Sequence, residues 1–342
     1  MTRRFLVTGG AGFIGANYVH RLLMRGEKVI VYDDLSRRGS QANVAWLRQE
    51  HGEDSFRLLV ADVRDAAALR EAARDVEVIV HLAAQVAVTT SVQDPRTDFE
   101  INALGTFNVL EAARLSGRRP IVLYASTNKV YGGMEEVAVV EEATRYRYRD
   151  LVDGVPETQP LDFHSPYGCS KGAGDQYVRD YARIYGLPTV VLRQSCIYGP
   201  RQMGVEDQGW IAWFVIAAVT GQPITIYGDG RQVRDVLYVD DLLDVYDAAI
   251  ERIDVAAGQV YNIGGGPAYT MSVWAEFAPL LERALGRSIA VAYSDWRPGD
   301  QRIYVSDIRK AQRELGWTPR TGVEEGVRRL VEWVVENRGL FE

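Results

Sequence analysis

Two side chains four residues apart, Tyr167 and Lys171, have the types and spacing that proton transfer requires. On a helix, residues at this spacing face the same side, so a lysine ammonium would lie beside a tyrosine hydroxyl. A free tyrosine titrates at about pH 10, and a neighbouring cation favours its phenolate form. Such a phenolate can accept the proton of an alcohol while a hydride leaves the alcohol carbon. The hydroxyl of Thr127, at the end of a predicted strand, would hold the alcohol oxygen.

A glycine-rich turn near the start of the chain would bind the hydride acceptor. Gly9, Gly12 and Gly15 lie between an apolar run and a helical pattern. Glycine permits a tight turn and lets a pyrophosphate approach the backbone, and the following helix directs its N–H groups at the phosphates. Asp33 ends the second predicted strand, where a carboxylate accepts hydrogen bonds from ribose hydroxyls and repels a 2′-phosphate. The pattern therefore predicts NAD, with an ordinary turn residue as the alternative for Asp33.

The elements that must position these groups alternate between strands and helices. This alternation predicts an α/β fold, a Rossmann-type doubly wound parallel sheet, followed by a smaller C-terminal α/β domain. We expect an NAD-binding domain mostly over residues 1–190 and a substrate domain over 191–342, interleaved with the end of the sheet. Residues 133–166 show little periodicity, as in a functional lid or a disordered segment. Apolar runs and helical periodicity predict strands over 5–7, 29–32, 56–60, 76–81, 121–125, 189–192, 224–226 and 236–238 and helices after Gly15 and over 102–115, 240–250, 272–285 and 323–336.

In open α/β sheets ligands bind outside the carboxyl ends of the strands, which selects further cofactor contacts. Asp62 follows the third predicted strand and would bind the adenine amino group, although it could instead cap the helix that begins near Asp65. Tyr167 and Lys171 would also contact the cofactor. The remaining predicted contacts are Phe13, Ile14, Asp34, Ser36, Val63, Leu82, Ala83, Ala84 and Gln85.

Composition and charge narrow the possible partners. The chain has 342 residues and a net charge of −7, which argues against binding nucleic acid. Its two cysteines, Cys169 and Cys196, fit a reducing compartment, and Cys169 is predicted to pack on another face of the Tyr167 helix. No histidine spacing suggests a metal site. Without a signal-peptide core or an apolar run that could span a bilayer, we expect a cytoplasmic protein that binds no membrane.

The motifs together resemble the extended short-chain dehydrogenases/reductases of the nucleotide-sugar epimerase/dehydratase type. The resemblance implies a tightly bound NAD that is regenerated in each turnover, a C-terminal domain that binds a nucleotide sugar, and a homodimer or homotetramer. Arg234 and Arg297 would match arginines that bind the diphosphate, since guanidinium offers a planar fork for phosphate oxygens; an ordinary surface ion pair is the alternative for each. The residues that carry the resemblance are Thr8–Gly15, Asp33, Tyr167, Lys171, Tyr198–Pro200, Arg234–Asp235, Val239–Asp241 and Arg297–Asp300.

One subgroup, the CDP-paratose 2-epimerases (CDP-tyvelose epimerases), resembles the chain over residues 126–132, 161–172 and 207–210. The 4,6-dehydratases place Asp-Glu after Thr127, whereas this chain has Asn128-Lys129, so water elimination is set aside. The resemblance implies oxidation at C2 of a CDP-sugar to a 2-keto sugar and return of the hydride to the opposite face. The substrate would be CDP-paratose giving CDP-tyvelose, or CDP-glucose giving CDP-mannose.

The same resemblance assigns the sugar pocket and the diphosphate contacts. Gln85, Asn128 and His164 would line the sugar pocket. Many relatives have an asparagine where this chain has Cys196, so Ser195 would replace that diphosphate contact. A structural loop histidine is the alternative for His164.

Two other functions remain open from the sequence. A UDP-sugar 4-epimerase of the same superfamily would use the same Thr127, Tyr167 and Lys171. A non-catalytic NAD-sensing protein would use only the cofactor site. The intact proton-transfer residues argue against the sensor, which has no need of them.

Overall fold

In a computed structural model, residues 2–297 and 300–342 are described. Met1 and two residues of the predicted diphosphate motif, Pro298 and Gly299, lie outside the described residues. The strands are β1 (Arg4–Thr8), β2 (Lys28–Asp33), β3 (Arg57–Val60), β4 (Val78–His81), β5 (Ile121–Thr127), β6 (Val139–Glu141), β7 (Tyr146–Tyr148), β8 (Thr189–Gln194), β9 (Cys196–Tyr198), β10 (Thr225–Tyr227), β11 (Val233–Tyr238), β12 (Val260–Ile263), β13 (Thr270–Ser272), β14 (Ala292–Ser294) and β15 (Ile303–Tyr304).

The helices alternate with the first strands, as the sequence predicts. A π-helical turn, Glu100–Leu104, leads into the sixth helix, and a 3₁₀ turn, Asn128–Tyr131, follows β5. The helices are α1 (Phe13–Met24), α2 (Ser40–His51), α3 (Ala66–Ala73), α4 (Val88–Gln93), α5 (Pro95–Phe99), α6 (Gly105–Leu115), α7 (Ser165–Tyr185), α8 (Trp210–Thr220), α9 (Val239–Glu251), α10 (Ile253–Ala256), α11 (Phe277–Leu285), α12 (Arg309–Leu315) and α13 (Val323–Glu336).

A seven-stranded sheet in the order β12-β8-β5-β4-β1-β2-β3 contains the first five strands of the chain together with β8 and β12. The pairs β1·β2, β1·β4, β2·β3 and β4·β5 are parallel, so their carboxyl ends meet at one edge. Leu6, Ile79 and Val122 of the sheet form one buried core with Val109 of α6 and Val178 of α7. The predicted α/β fold with a doubly wound parallel sheet is confirmed.

The chain divides into two compact units. The first consists of the chain up to Val130, Ser165–Arg193 and Leu243–Tyr261, and the second of Tyr131–His164, Gln194–Leu242 and Asn262–Glu342. The chain therefore enters each unit more than once. The prediction that one domain binds NAD and the other a nucleotide sugar stays a prediction.

The segment over 133–166 contains regular structure that its weak periodicity does not predict, and a role as a functional lid stays a prediction. It contains the β6–β7 hairpin, and its last residues, from Ser165, begin α7. Within the second unit Arg145 donates from Nε and Nη2 to the Glu276 carboxylate at 2.7 and 2.6 Å. The Tyr148 hydroxyl donates to the Ile303 carbonyl at 3.0 Å. Partners more than 100 residues away fix this segment, and local periodicity does not reveal them.

The helix predicted over 272–285 begins later, at Phe277. Ser272 instead ends strand β13, which pairs with β11. The N–H groups of Trp274 and Ala275 both donate to the carbonyl of Gly230, at 2.9 and 3.0 Å. These long-range bonds take the place of the first helical turn.

Over residues 2–297 and 300–342, no helix is long and apolar enough to cross a membrane. In the same ranges, no group of three or more histidine, cysteine, aspartate or glutamate side chains could hold a metal ion. Cys169 is exposed on α7, so the prediction that it packs is wrong.

Candidate active site

The glycine turn between β1 and α1 has the shape that a dinucleotide requires. Gly9 has a φ of +68°, and a side chain there would press on the backbone of Ala83. A Cβ on Gly15 would overlap the carbonyl oxygen of Gly9, so only glycine lets α1 approach the turn. Gly12 caps α1 without a side-chain hydrogen bond, which leaves helix N–H groups available to an anion. The turn therefore fits the predicted pyrophosphate, with Phe13 and Ile14 opening the helix.

Asp33 is held against this turn at the end of β2. Its Oδ2 accepts from the N–H of Ala11 at 3.0 Å and its Oδ1 from the N–H of Leu35 at 2.8 Å. Burial raises the pKa of Asp33, and the two N–H groups oppose this shift. A carboxylate oxygen has more than one lone pair, so a ribose hydroxyl can still donate to Asp33. Nearby, Asp34 accepts from the hydroxyl of Ser36 at 2.7 Å and is exposed.

Asp62, at the end of β3, does not cap helix α3, which was the alternative role for this residue. Asp65, not Asp62, caps α3, since its side chain accepts from the N–H groups of Ala67 and Ala68. Asp62 instead accepts from Arg64, which lowers the pKa of Asp62. The neighbouring Val63 is buried. Its side chain lies so close to Gly105 of α6 that a Cβ on Gly105 would overlap it. Only the backbone of Val63 is then available to a cofactor.

Two side chains, Thr8 and Asn102, fix the segment after β4. Leu82 and Ala83 donate their N–H groups to the carbonyl and hydroxyl of Thr8 at 3.0 and 3.3 Å, and Ala84 follows. Asn102 binds the backbone of Gln85 twice, at 2.9 Å each. The Gln85 amide nitrogen donates to Ala87, whereas its buried Oε1 has no partner. That orphaned acceptor suits a ligand hydroxyl, in keeping with the prediction for Gln85.

Thr127, Tyr167 and Lys171 come together at the end of β5. The hydroxyl of Thr127 hydrogen-bonds to that of Tyr167, and α7 places Lys171 one turn further on. The Lys171 Nζ donates to the carbonyl of Ala125 at 2.6 Å. Both Tyr167 and Lys171 are buried, with 8% and 4% of their surface exposed. Tyr167 is thus joined to Thr127 in a buried site, and Lys171 is anchored at the backbone of Ala125, two residues before Thr127.

Burial controls the charge state of this cluster. It raises the pKa of Tyr167 to about 12, against the hydrogen bond from Thr127, which lowers it. It also lowers the pKa of Lys171 to about 7, against the charges of Asp175 and Asp98. The sequence predicts a lowered tyrosine pKa, and without a bound cofactor the structure shows the opposite. Desolvation of the phenolate is the largest contribution to the raised pKa of Tyr167. A positive nicotinamide beside Tyr167 would act in the opposite direction.

The two predicted diphosphate arginines lie in the second unit, each beside a carboxylate. Arg234, on β11, donates from Nη2 to Asp300 at 2.8 Å. Arg297 lies 3.2 Å from a carboxylate oxygen of Asp207, and its guanidinium stacks 3.9 Å from the Tyr227 ring centre. The ion pairs expected as the alternative are therefore present. A diphosphate would have to share or displace these carboxylates.

The other substrate candidates differ in their surroundings. In the second unit, the hydroxyl of Ser195 donates to the carboxylate of Asp235, which is completely buried. In the same unit His164 is exposed at the end of the insertion. In the first unit, Asn128 is buried and accepts a long hydrogen bond from Thr127, at 3.4 Å. Asn128 therefore touches a residue of the proton-transfer cluster.

Comparison with known proteins decides the family. The family model for GDP-mannose 4,6 dehydratase matches residues 6–330. The chain belongs to this family. It is 41% identical to a CDP-paratose 2-epimerase of Salmonella typhi over 96% of this chain and 98% of that protein.

Two solved structures show the same fold as this member of the GDP-mannose 4,6 dehydratase family. A dTDP-glucose 4,6-dehydratase from Streptomyces venezuelae, with NAD bound, is 33% identical with a TM-score of 0.85, over 99% of both chains. A UDP-glucose 4-epimerase from Thermotoga maritima, with UDP-glucose, is 32% identical with a TM-score of 0.84, over 98% of this chain and 99% of that one. The resemblance to nucleotide-sugar epimerases and dehydratases is thereby confirmed.

A buried polar layer next to Lys171, which was not predicted from the sequence, consists of His81 and its hydrogen-bond partners. His81 accepts from Thr8 at Nδ1, 2.7 Å away, and contacts Thr106 through Nε2 at 3.1 Å. Because the Thr106 hydroxyl donates to Asn102, the network assigns the His81 proton to Nε2. Burial and the charge of Lys171 lower the pKa of His81 to about 3. The only sequence signal for this layer was polar residues inside apolar strands and helices.

Proposed function

We propose that the protein inverts C2 of a CDP-sugar through a transient 2-keto sugar. Its family and named relatives support an NAD-dependent nucleotide-sugar epimerase. What is proposed beyond this is the carbon that is inverted, C2, and the nucleotide of the substrate, CDP. The carbon and the base are supported by the 41% identity to the CDP-paratose 2-epimerase of Salmonella typhi. Epimerisation rather than dehydration is supported by the Thr127–Tyr167–Lys171 cluster with neutral Asn128 beside it. This arrangement moves one proton and offers no adjacent carboxylate pair for eliminating water.

The residues of the chain have separate tasks in this reaction. The glycine turn and Asp33 would hold NAD, which would supply the acceptor and the donor for the hydride of the sugar carbon. Tyr167 accepts the proton of the C2 hydroxyl as the ketone forms, and it gives that proton back when the ketone is reduced. Thr127 holds the reacting oxygen, and Lys171 supplies the charge that favours the phenolate. Proton and hydride both return to the substrate, so the reaction needs no external oxidant.

The first experiment is an NMR assay of the purified protein without added NAD. CDP-, UDP- and GDP-sugars are tested in parallel. Inversion at C2 of CDP-sugars alone is the expected result, and it also requires a retained cofactor. Inversion at C4 of a UDP-sugar would overturn the substrate proposal and leave the tasks of Thr127, Tyr167 and Lys171 in place. The 4-epimerase relative makes this the second candidate.

Replacing either Arg234 or Arg297 by alanine should weaken substrate binding more than turnover. We expect KM for the nucleotide sugar to rise by about tenfold or more, since hydrogen bonds to charged groups contribute about 1.5–3 kcal/mol. Steady-state kinetics at two salt concentrations measure this. The matched control is Arg329→Ala, an exposed arginine of the same unit that pairs with Glu325. Unchanged KM in both test variants would show that these arginines form surface ion pairs only.

We also propose that the protein forms a homodimer through the α5–α6 segment and α7. Phe99 and Phe107 of the α5–α6 segment and Tyr177 and Ile184 of α7 are large apolar side chains exposed to solvent. The rings of Phe107 and Tyr177 lie 6.0 Å apart, so the exposed patch continues from one helix to the next. Phe107→Glu should convert a dimer to a monomer in sedimentation experiments, whereas Val335→Glu on α13 should not. A monomeric wild-type protein would contradict the proposal.

A further inference from the structure

His81, the last residue of β4, is a buried polar side chain to which the reaction described above gives no task. Its Nδ1 lies 2.7 Å from the hydroxyl oxygen of Thr8, and its Nε2 lies 3.1 Å from that of Thr106. Both ring nitrogens are therefore hydrogen-bonded. Burial and the charge of Lys171 lower the pKa of His81 to about 3, so the ring is neutral, with one donor nitrogen and one acceptor nitrogen.

The hydrogen bonds on either side of this ring run in one direction. The Thr106 hydroxyl donates to the carbonyl of Asn102 at 2.6 Å, so it accepts from His81 Nε2. His81 Nδ1 then accepts from the hydroxyl of Thr8, which itself accepts from the N–H of Ala83 at 3.3 Å. Each of the two hydroxyls donates once and accepts once, and buried hydrogen bonds connected in this way strengthen one another.

One end of this series, the Thr8 arm (the bonds that join His81, Thr8 and Ala83), lies at the glycine turn. Thr8 ends β1 and directly precedes Gly9. The backbone of Ala83 lies so close that a Cβ on Gly9 would come within 2.7 Å of the Ala83 nitrogen. The Thr8 arm therefore ties the turn that fits the pyrophosphate to the segment that follows β4.

The other end, the Thr106 arm (the bonds that join His81, Thr106 and Asn102), lies at Gln85. Thr106 holds the backbone carbonyl of Asn102, which is part of the π-helical turn. The Asn102 side chain accepts from the N–H of Gln85 and donates to the Gln85 carbonyl, at 2.9 Å each. These two bonds fix the segment that presents the buried Gln85 Oε1, the acceptor without a partner.

We infer that His81 is a positioning residue that holds the glycine turn and the Gln85 segment in place through separate hydrogen bonds. The Thr8 arm controls how tightly NAD is held, and the Thr106 arm controls how well Gln85 meets the sugar. The second half of the inference rests on the proposed function, because it requires a sugar beside Gln85, whereas the first half requires only NAD. A ring that merely filled space between strands and helices would not separate the two effects.

Two replacements of His81 break one arm each. The side-chain oxygen of an asparagine lies near the position of Nδ1 and keeps the Thr8 arm, whereas the side-chain nitrogen of a glutamine reaches the position of Nε2 and keeps the Thr106 arm. His81→Gln should raise the rate at which NAD dissociates from the purified holoprotein by about two- to tenfold, the range for one lost hydrogen bond, and should leave KM for the nucleotide sugar unchanged. His81→Asn should raise this KM by a similar factor and leave NAD dissociation unchanged. Gel filtration with absorbance of the released cofactor measures dissociation, and NMR of turnover measures KM.

Thr8→Val and Thr106→Val break the same arms with the ring intact, should a variant of His81 not fold. We expect Thr8→Val to reproduce the effect of His81→Gln, and Thr106→Val that of His81→Asn. Thr189→Val is the matched control, since Thr189 is a completely buried threonine of β8 whose hydroxyl donates to the carbonyl of Val178 at 2.6 Å. It should change neither NAD dissociation nor KM.

The outcomes distinguish this inference from the proposed function. Equal changes of NAD dissociation and KM in His81→Asn and His81→Gln, or no change in the folded variants, would overturn the inference. Inversion of a UDP-sugar at C4 would change the substrate of the KM measurement and leave the test of both arms intact. A protein that turns over none of the nucleotide sugars would contradict the proposed function, and NAD dissociation would still decide the task of the Thr8 arm.

Discussion

Replacing Tyr167 by phenylalanine is expected to lower turnover of the nucleotide sugar by about 10²–10⁴-fold, the range of a lost proton-transfer group. The Tyr167 hydroxyl lies beside that of Thr127 at the end of β5. Of these two hydroxyls, only that of Tyr167 can take up the substrate proton, as a phenolate. The ring stays in place, so its packing is retained. The glycine turn and Asp33 are unaltered, and bound NAD should therefore be retained. NMR of substrate turnover and the absorbance of released cofactor measure the two quantities.

Tyr181→Phe is the control for Tyr167→Phe. Tyr181 lies on the same helix, is buried, and donates its hydroxyl to Glu111 at 2.8 Å. The substitution removes a hydrogen bond of comparable kind, which costs about 0.5–1.5 kcal/mol of stability, and turnover should remain. Unaltered turnover in Tyr167→Phe would exclude the mechanism. Equal losses in both variants would assign the effect to helix packing instead.

The sequence predicts well what is determined locally. Apolar runs such as Phe5–Val7 are strands of the sheet because strands covered on both faces need continuous apolar residues. The Gly9–Gly15 turn and Asp33 lie together because the first two strands are parallel neighbours that end at the same edge. The spacing of Tyr167 and Lys171 needs only a helix, and α7 supplies it.

Local sequence patterns do not predict the surroundings of residues whose positions depend on distant contacts. Tyr146 and Tyr148 alternate with arginines, a short strand pattern that does not reveal its partners; they are buried, and the Tyr148 hydroxyl donates to the carbonyl of Ile303, far along the chain. Asp98 looks like a surface carboxylate on a short polar helix until α7 covers it. The pKa of Tyr167 depends on how much water the fold removes, which spacing alone does not reveal.

The largest stability effect is expected at the buried ion pair between Arg193 and Asp175. The side chains are 3% and 0% exposed, and the guanidinium donates to both carboxylate oxygens at 2.9 Å. The hydroxyl of Ser126, directly before Thr127, donates to the same carboxylate at 2.8 Å. The pair therefore joins α7 and β8 to the strand end that carries the proposed proton-transfer group.

Arg193→Met should lower the free energy of unfolding by about 3–5 kcal/mol, because it leaves the Asp175 charge buried without its arginine. Urea unfolding measures the loss. Asp175→Asn combined with Arg193→Met should recover much of it, since no uncompensated charge remains. Arg179→Met is the control on α7: burial and the charges of Arg183 and Arg193 lower the pKa of Arg179, so its removal should cost little. An Arg193→Met variant as stable as the wild type would contradict this prediction. The Asp175 charge would then have to be balanced by Lys171 and water, and the site around Thr127, Tyr167 and Lys171 would contain more water than its burial indicates.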